Sequence, residues 1–272
     1  MKVLAHHFLF LIVSLLIPQS CTSPSSALRD DSGKLEILFL GHDSQHHNSA
    51  MLLPLLASGL SKEGISFTYT DKPDDLNTEN LDKYDALVIY ANHEQITPSQ
   101  EKALLDFVEK GRGFIPLHCA SFCFQNSPKY IDLVGGQFKS HKTDTFSTMI
   151  VNKEHPVMKN VKEFMTWDET YVHDKLAADI EVLMERVEGD HHEPWTWVKS
   201  FGKGRVFYTA YGHDEKTWSQ PGFQQLVKEG ILWAVGDQAK TKWEKFRNEI
   251  PQLVYRDAPG IPNYEKRDPA PR

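Results

Sequence analysis

"GFIPLHCAS", Gly113–Ser121, decides how the chain is read, because an apolar β-prone run ends abruptly in a His-Cys pair and small residues. The segment before it, "TPSQEKALLDFVEKGRG" (97–113), has the marks of a helix: Thr97 as N-cap, Pro98 in the first turn and Gly111 at the stop. A helix feeding a short, wholly apolar strand is the unit of a parallel sheet covered on both faces. Outward from this unit the alternation repeats. "KLEILFLG" (34–41), "ISFTYT" (65–70) and "YDALVIYAN" (84–92) read as strands, and "NSAMLLPLLASGLSKEG" (48–64) places Leu52, Leu55, Leu56 and Leu60 at helical spacing before a glycine. The expectation is an α/β fold of the flavodoxin-like, doubly wound kind, with a mainly parallel sheet between helices.

After the fourth strand the pattern turns mixed. "SPKYIDLVGGQFKSH" (127–141) reads as a short helix and a Gly-Gly turn, and "DTFSTMIVN" (144–152) as one half-exposed strand. "IEVLMERVEG" (180–189), "PWTWVKSFG" (194–202) and "GRVFYTAYGH" (204–213) follow as strands, the last two joined by a Gly-Lys-Gly hairpin, and "PGFQQLVKEGILWAVGD" (221–237) as a closing amphipathic helix.

The ends are of another kind. Lys2 precedes the apolar run "FLFLIVSLLI" (8–17), too short to span a membrane and placed where an export signal sits. It stops at "PQSC", and Cys21 opens a Ser/Pro/Asp-rich tract. The arrangement resembles a bacterial lipoprotein signal over residues 1–20, with lipid on Cys21, a tether over 21–33 and a periplasmic or envelope location. Pro18-Gln19-Ser20 departs from the usual lipobox, so simple cleavage with Cys21 left bare stays open. The main domain is expected over 34–237, and 238–272 as a charged helical start followed by a proline-rich extension. A formal charge of −7 without a basic run argues against nucleic acid as partner. No strand opens onto a glycine-rich phosphate loop, so neither nucleotide nor flavin is expected.

In doubly wound sheets ligands sit beyond the carboxyl ends of the strands. Those ends read Gly41-His42, Asn92-His93-Glu94 and His118-Cys119, so His42, His46, His93 and His118 share one rim. Of the adjacent His46 and His47, the former is the one expected to face inward. Imidazoles titrate near neutrality and bind divalent metals when neutral, so the rim suits proton transfer or ligation of Zn, Mn, Ni or Fe. Glu169, in "WDETY", adds a carboxylate between aromatics, where burial is expected to raise its pKa. Tyr171, Trp195, Trp197 and Trp218 are candidates for stacking on sugar rings, the core being the competing destination for each. Cys119 and Cys123 match no zinc or dithiol spacing and read as buried thiols.

"GFIPLHCAS", "YIDLVGGQFKSH", "EHPVM", "WDETYVH", "PWTWVKSFGKGRVFYTAYGHDEKTW" and "FQQLVKEGILWAVGD", in this order, resemble the ThuA-like (trehalose-utilisation) family, over about Leu35 to Asp237. The resemblance implies a fold related to class I glutamine amidotransferases and work on carbohydrate, notably keto-glycosides. Those amidotransferases carry a nucleophilic Cys on a glycine-flanked elbow after the equivalent strand; here the elbow reads Leu117-His118-Cys119-Ala120-Ser121, without either glycine. Glutamine hydrolysis is therefore not expected, and His118 rather than Cys119 falls nearest the nucleophile position. The resemblance makes His118, Glu169 and His213 the catalytic candidates, His118, His141 and His213 the candidate metal ligands, and His42, His46, His93, Tyr171, Trp195 and Trp218 the candidate sugar contacts. Two readings remain: an exported enzyme acting on sugars by His/Glu acid–base chemistry, and a carbohydrate-binding accessory domain on a scaffold that has lost catalysis.

Overall fold

The computed structural model describes residues 33–44, 46–247 and 249. The expected signal, Cys21, nearly all of the tether and the proline-rich tail lie outside the described residues. In chain order the elements are β1 (Leu35–Gly41), α1 (Ser49–Leu60), β2 (Ile65–Thr70), α2 (Thr78–Leu81), β3 (Ala86–Tyr90), α3 (Pro98–Glu109), β4 (Gly113–Pro116), α4 (Pro128–Val134), β5 (Gln137–Ser140), β6 (Thr143–Ser147), β7 (Met149–Ile150), β8 (Met165–Glu169), β9 (Val172–Asp174), β10 (Glu181–Glu188), β11 (His191–Phe201), β12 (Gly204–Thr209), α5 (Glu215–Trp218), α6 (Pro221–Ala234) and α7 (Gly236–Phe246).

The eight-stranded sheet runs β2-β1-β3-β4-β12-β11-β10-β7. Its first five strands are mutually parallel and the remainder antiparallel. β1, β3 and β4 are buried along their whole length, as strands covered on both faces must be, which explains their unbroken apolar runs. The order reverses at β1, which pairs β2 on one side and β3 on the other; there the loops after neighbouring strands diverge and leave a crevice.

Local rules place the helices. Thr97 accepts from the Gln100 N–H while the Gln100 side chain accepts from the Thr97 N–H, a reciprocal capping box that fixes where α3 begins. α3 ends at Glu109, and Gly111 follows with φ +110. At the end of β1, Gly41 is required by contact: a Cβ there would overlap the Ser49 hydroxyl and the Tyr69 ring. That close approach lets Ser49 Oγ accept from the His42 N–H at 2.8 Å and donate to the His42 carbonyl at 3.1 Å, tying the loop over 42–48 to the start of α1.

One expectation is corrected. "DTFSTMIVN" is not a single strand: β6 pairs with β8 in a separate ribbon, and β7 joins the edge of the main sheet beside β10. The break falls at Thr148, buried and hydrogen-bonded to the Tyr211 hydroxyl at 3.1 Å, which anchors the turn between two sheets. After Asp237 the chain continues as α7 against the domain; Trp243 is buried and its indole N–H donates to the Glu63 carbonyl at 2.7 Å. No helix among the described residues is long and apolar enough to cross a membrane.

Candidate functional site

β4 ends in a bend that a non-glycine residue rarely adopts. His118 has φ +45, in the left-handed region, and opens a 3-10 turn over His118–Phe122. Such a residue costs about 1–3 kcal/mol and persists only where its surroundings hold it. Here the ring Nδ1 lies 2.7 Å from the Ala210 carbonyl, which can only accept, so Nδ1 carries a proton and Nε2 is the nitrogen turned to the rim. The ring also stacks on Tyr171 at 4.2 Å. Cys119 beside it is fully buried, and burial pushes its thiol far above the ordinary range, which removes it as a nucleophile.

The loop after β1 supplies a second imidazole, His47, at 5% exposure. Its Nδ1 lies 2.8 Å from Asn92 Oδ1, at the end of β3, and donates to it, leaving Nε2 bare. Burial, then the neighbouring His118, pushes the His47 pKa down to about 3, so the ring is neutral across the physiological range.

Glu169 ends β8 and reaches the same point from the ribbon. The preceding Asp168 is fully buried and accepts from the Gly212 N–H (2.9 Å), the His213 N–H (3.0 Å), the Glu169 N–H (2.8 Å) and the Thr217 hydroxyl (2.8 Å), so one carboxylate pins the end of β8 to the chain leaving β12. This brings Glu169 Oε2 within 3.2 Å of His118 Nε2, and Oε1 within 3.2 Å of His213 Nδ1 and 3.3 Å of His141 Nδ1. Burial alone would raise the Glu169 pKa, as the sequence suggested. The His118 and His213 imidazoles outweigh it and hold the carboxyl well below its usual range, which corrects that expectation. For His213 burial lowers the pKa, but Glu169, with Asp168 and Asp214 behind it, raises it overall.

Three ring nitrogens, His47 Nε2, His118 Nε2 and His213 Nδ1, are buried without a hydrogen-bond partner. With a Glu169 oxygen they all lie within 4.8 Å of one another. At 3.2 Å the His118 and His213 nitrogens are close to the carboxylate, yet neither forms a directed hydrogen bond with it. Ligands about 2.1 Å from a common ion stand roughly 3.0–3.5 Å apart at octahedral or tetrahedral angles, a range into which the two 3.2 Å distances to the Glu169 oxygens fall. Among the described residues, these four are the ones that could hold a divalent ion.

The other expected residues fall on several sides of this point. His42 and His93 stack at 4.2 Å on the rim, the former accepting from the Asn92 N–H and the latter facing the Gly41 carbonyl. His141, 40% exposed, lies outside the four-atom group although its Nδ1 is 3.3 Å from Glu169 Oε1; of the residues expected as ligands, His118 and His213 are in that group, and the third imidazole there is His47. His46 is exposed and faces away, its ring 6.5 Å from that of His47; the inward residue is His47 because the tie to Ser49 and Asn92 turns that side chain over the strand ends. Trp195 and Trp218 are at 0% exposure, which corrects their stacking role: Trp218 donates to the Gly212 carbonyl at 2.8 Å and packs on Tyr90, and Trp195 packs on Phe146 and Tyr211. Tyr171 is a wall of the site, 3% exposed. Sequence reading missed His47, Asn92, Asp168 and Trp167. Trp167 was within reach of it: two residues before Glu169 on β8, it shares that face by strand alternation and lies half-exposed 6.1 Å from His213.

The sequence profile of a family described as ThuA, trehalose utilisation, matches residues 36–234. Among solved structures, a putative ThuA-like protein from Bacteroides uniformis superposes with a TM-score of 0.62 at 20% identity, covering 73% of this chain and 90% of that one. A second, from Parabacteroides merdae, gives 0.64 at 18%, covering 74% and 90%. A β-galactosidase from Rahnella sp. R3 gives 0.51 at 15% and is covered over only 31% of its length, against 72% of this chain. At these identities the likeness concerns the fold. No curated protein matches significantly.

Proposed function

This chain belongs to the ThuA, trehalose-utilisation, family, and from that premise we propose that it is an enzyme of carbohydrate catabolism acting on keto-sugars or keto-glycosides, with a divalent metal held by His47, His118, Glu169 and His213. The observation that carries the reading is the gathering, within 4.8 Å, of three buried imidazole nitrogens that lack a hydrogen-bond partner and one carboxylate. Leaving three buried ring nitrogens unpaired is costly unless something fills the space between them. Three imidazoles with one carboxylate are a donor set that suits a borderline ion such as Zn, Mn, Ni or Fe. The fit extends outward: the far nitrogens of His47 and His118 donate to Asn92 and the Ala210 carbonyl, the outer contacts that orient metal-ligating imidazoles.

An ion in this place would supply Lewis-acid polarisation of a ketone oxygen. The protein's own groups do the rest. Glu169, held anionic by its imidazole neighbours, is a weak base and serves as fixed negative charge. His141 shares Glu169 Oε1, reaches solvent, and is the group that takes a proton from the carbon next to the ketone and delivers it to the leaving oxygen or back to carbon. Trp167 on one side and the stacked His42 and His93 on another border the mouth through which a sugar ring enters. Elimination, isomerisation and hydrolysis by elimination and water addition all begin with that proton transfer.

The test is elemental analysis of the purified protein for Zn, Mn, Ni and Fe, beside turnover of a 3-keto-glycoside, for the native chain and for His118→Ala and His141→Ala. The reading expects metal and turnover in the native protein, loss of both in His118→Ala, and loss of turnover with metal retained in His141→Ala. A native protein with neither metal nor ketosugar turnover sinks it.

A further inference from the structure

Behind the elbow lies a line of buried polar side chains that the proposed chemistry does not use. The Tyr208 oxygen, on β12 and fully buried, lies 3.2 Å from the His118 carbonyl, 3.1 Å from Ser121 Oγ and 2.9 Å from His173 Nε2. Ser121 Oγ itself donates to the His118 carbonyl at 3.0 Å. On the other side of His173, Glu193 Oε1 accepts from the His173 backbone N–H at 2.8 Å and from ring Nδ1 at 3.0 Å, and Oε2 accepts from His191 Nε2 at 3.0 Å. His191 is half-exposed, so the line runs from the surface through Glu193, His173 and Tyr208 to the peptide oxygen of the strained residue.

The donors and acceptors fix its sense. Burial keeps His173 neutral against the pull of Glu193. A neutral ring has one proton, and the carboxylate can only accept it, so the proton sits on Nδ1 and Nε2 receives the Tyr208 hydroxyl. With its one proton committed to His173, the Tyr208 oxygen is held in one place and meets the His118 carbonyl (3.2 Å) and Ser121 Oγ (3.1 Å) by contact, while the hydrogen bond to that carbonyl comes from the Ser121 hydroxyl. A left-handed non-glycine residue needs its surroundings to over-determine it, and the Tyr208–Ser121 pair is what surrounds that peptide oxygen.

We propose that Tyr208 is a positioning residue for His118: its oxygen, oriented through His173 by Glu193, sets the tilt of the His118 peptide and so the direction in which His118 Nε2 points into the site. The inference rests on the metal-site reading for its sharpest readout and can be judged without it.

The full chain is titrated with Co2+ as the metal alone, following the dissociation constant and the visible absorption band, for the native protein, Tyr208→Phe, Glu193→Ala, Glu193→Gln and His191→Ala. Outer contacts of this kind change metal affinity by about 10–100-fold, which is the weakening expected of Tyr208→Phe, with a shifted or weakened band. Glu193→Ala falls in the same direction by less. Glu193→Gln keeps the acceptor for His173 and restores native affinity, and His191→Ala leaves it unchanged. A merely structural role lowers the melting temperature without moving the cobalt band. Folded Tyr208→Phe with the native constant and band overturns the proposal. Should Tyr208→Phe fail to fold, Ser121→Ala and Glu193→Ala carry the same readout: weakened binding with a moved band upholds the proposal, and the native constant and band overturn it. Should the native protein bind no Co2+, the metal reading fails and the ring 15N signals of His118 decide: altered signals in Tyr208→Phe uphold the positioning role, and unaltered ones overturn it.

Discussion

Two groups of imidazoles and carboxylates lie a few residues apart in this molecule, and they are built on opposite principles. In the inner group, His173 and Glu193 with His191 and Tyr208, ring nitrogen meets carboxylate or hydroxyl at 2.9–3.0 Å in directed hydrogen bonds. In the rim group, His118 and His213 come within 3.2 Å of Glu169 and His47 joins them within 4.8 Å, yet three nitrogens are left without a partner. Composition and proximity are nearly the same, so neither marks a reactive site. What differs is where the lone pairs go: satisfied groups rigidify, and groups left unpaired and aimed at one another are what a ligand completes.

The largest break in this comparison comes from His118→Gly. At φ +45 glycine is unstrained, so although the variant loses the buried ring, its bond to the Ala210 carbonyl and its stack on Tyr171, it is expected to be about 1 kcal/mol more stable than His118→Ala, while both lose the donor to the rim. Metal affinity should fall by more than the roughly 100-fold that an outer contact alone can cost. Thermal melts beside Zn2+ titration check both halves, and a glycine variant that melts below His118→Ala contradicts the idea of stored strain.

The same cut in the inner group should do the reverse. Glu193→Ala strips the acceptor from two buried N–H groups of His173, at about 1–3 kcal/mol for each unsatisfied donor, so a loss near 3 kcal/mol is expected in urea unfolding. Glu193→Gln, which keeps that acceptor, should recover most of it. If Glu193→Ala unfolds at the native midpoint, the inner group is not the structural counterweight to the rim.

Titration separates the groups further. In metal-free protein His47 is depressed to about 3 in the folded state and sits near 6.5 unfolded, so between those values the unfolded chain binds the extra proton. Stability from this residue is fully present above about pH 6.5 and declines as pH falls, by about 2 kcal/mol between pH 6.5 and pH 5. His213, raised in the folded state, has the opposite sign: its contribution is present below about pH 6.5 and is lost as pH rises through its folded pKa. Replacing His47 by Gln should therefore flatten the acid side of the unfolding free energy in EDTA, and an unchanged acid limb rules the depressed pKa out.

These contrasts show which parts of the molecule were legible in sequence. The parallel half of the sheet was, because β1, β3 and β4 are apolar throughout and the caps at Thr97 and the break before His118 announce themselves locally. The ribbon was less so: whether "DTFSTMIVN" is one strand or two depends on Thr148 meeting Tyr211, 63 residues away, and local pattern carries no trace of that. His118, Glu169 and His213 follow from strand ends and the family resemblance. Trp195, inside β11, and Trp218, on α5, could not be kept from the site on sequence alone, since an aromatic side chain suits a core as well as a sugar. Asp168 looked like an ordinary neighbour of Glu169; its four hydrogen bonds come from the chain around Gly212–Thr217 and from its own neighbour, and the former are brought to it only by folding.

The smallest effect, and the finest test of the comparison, lies in the adjacent pair His46 and His47. Both are imidazoles in one loop, and strand-end logic cannot separate them, because a loop has no fixed period. The fold separates them through two ties: the Ser49 hydroxyl closes the loop on the His42 peptide, and Asn92 holds His47 Nδ1 at 2.8 Å, so the one ring turns over the strand ends and the other into solvent. Removing an exposed side chain away from caps and cores usually changes stability by less than about 0.5 kcal/mol. His46→Ala should therefore melt within that margin and bind Zn2+ as the native chain does, while Asn92→Ala, which never touches the rim's centre, should weaken Zn2+ about 10-fold by freeing the His47 ring. The reverse order of the two variants would place His46 in the site and undo the assignment of the first ligand.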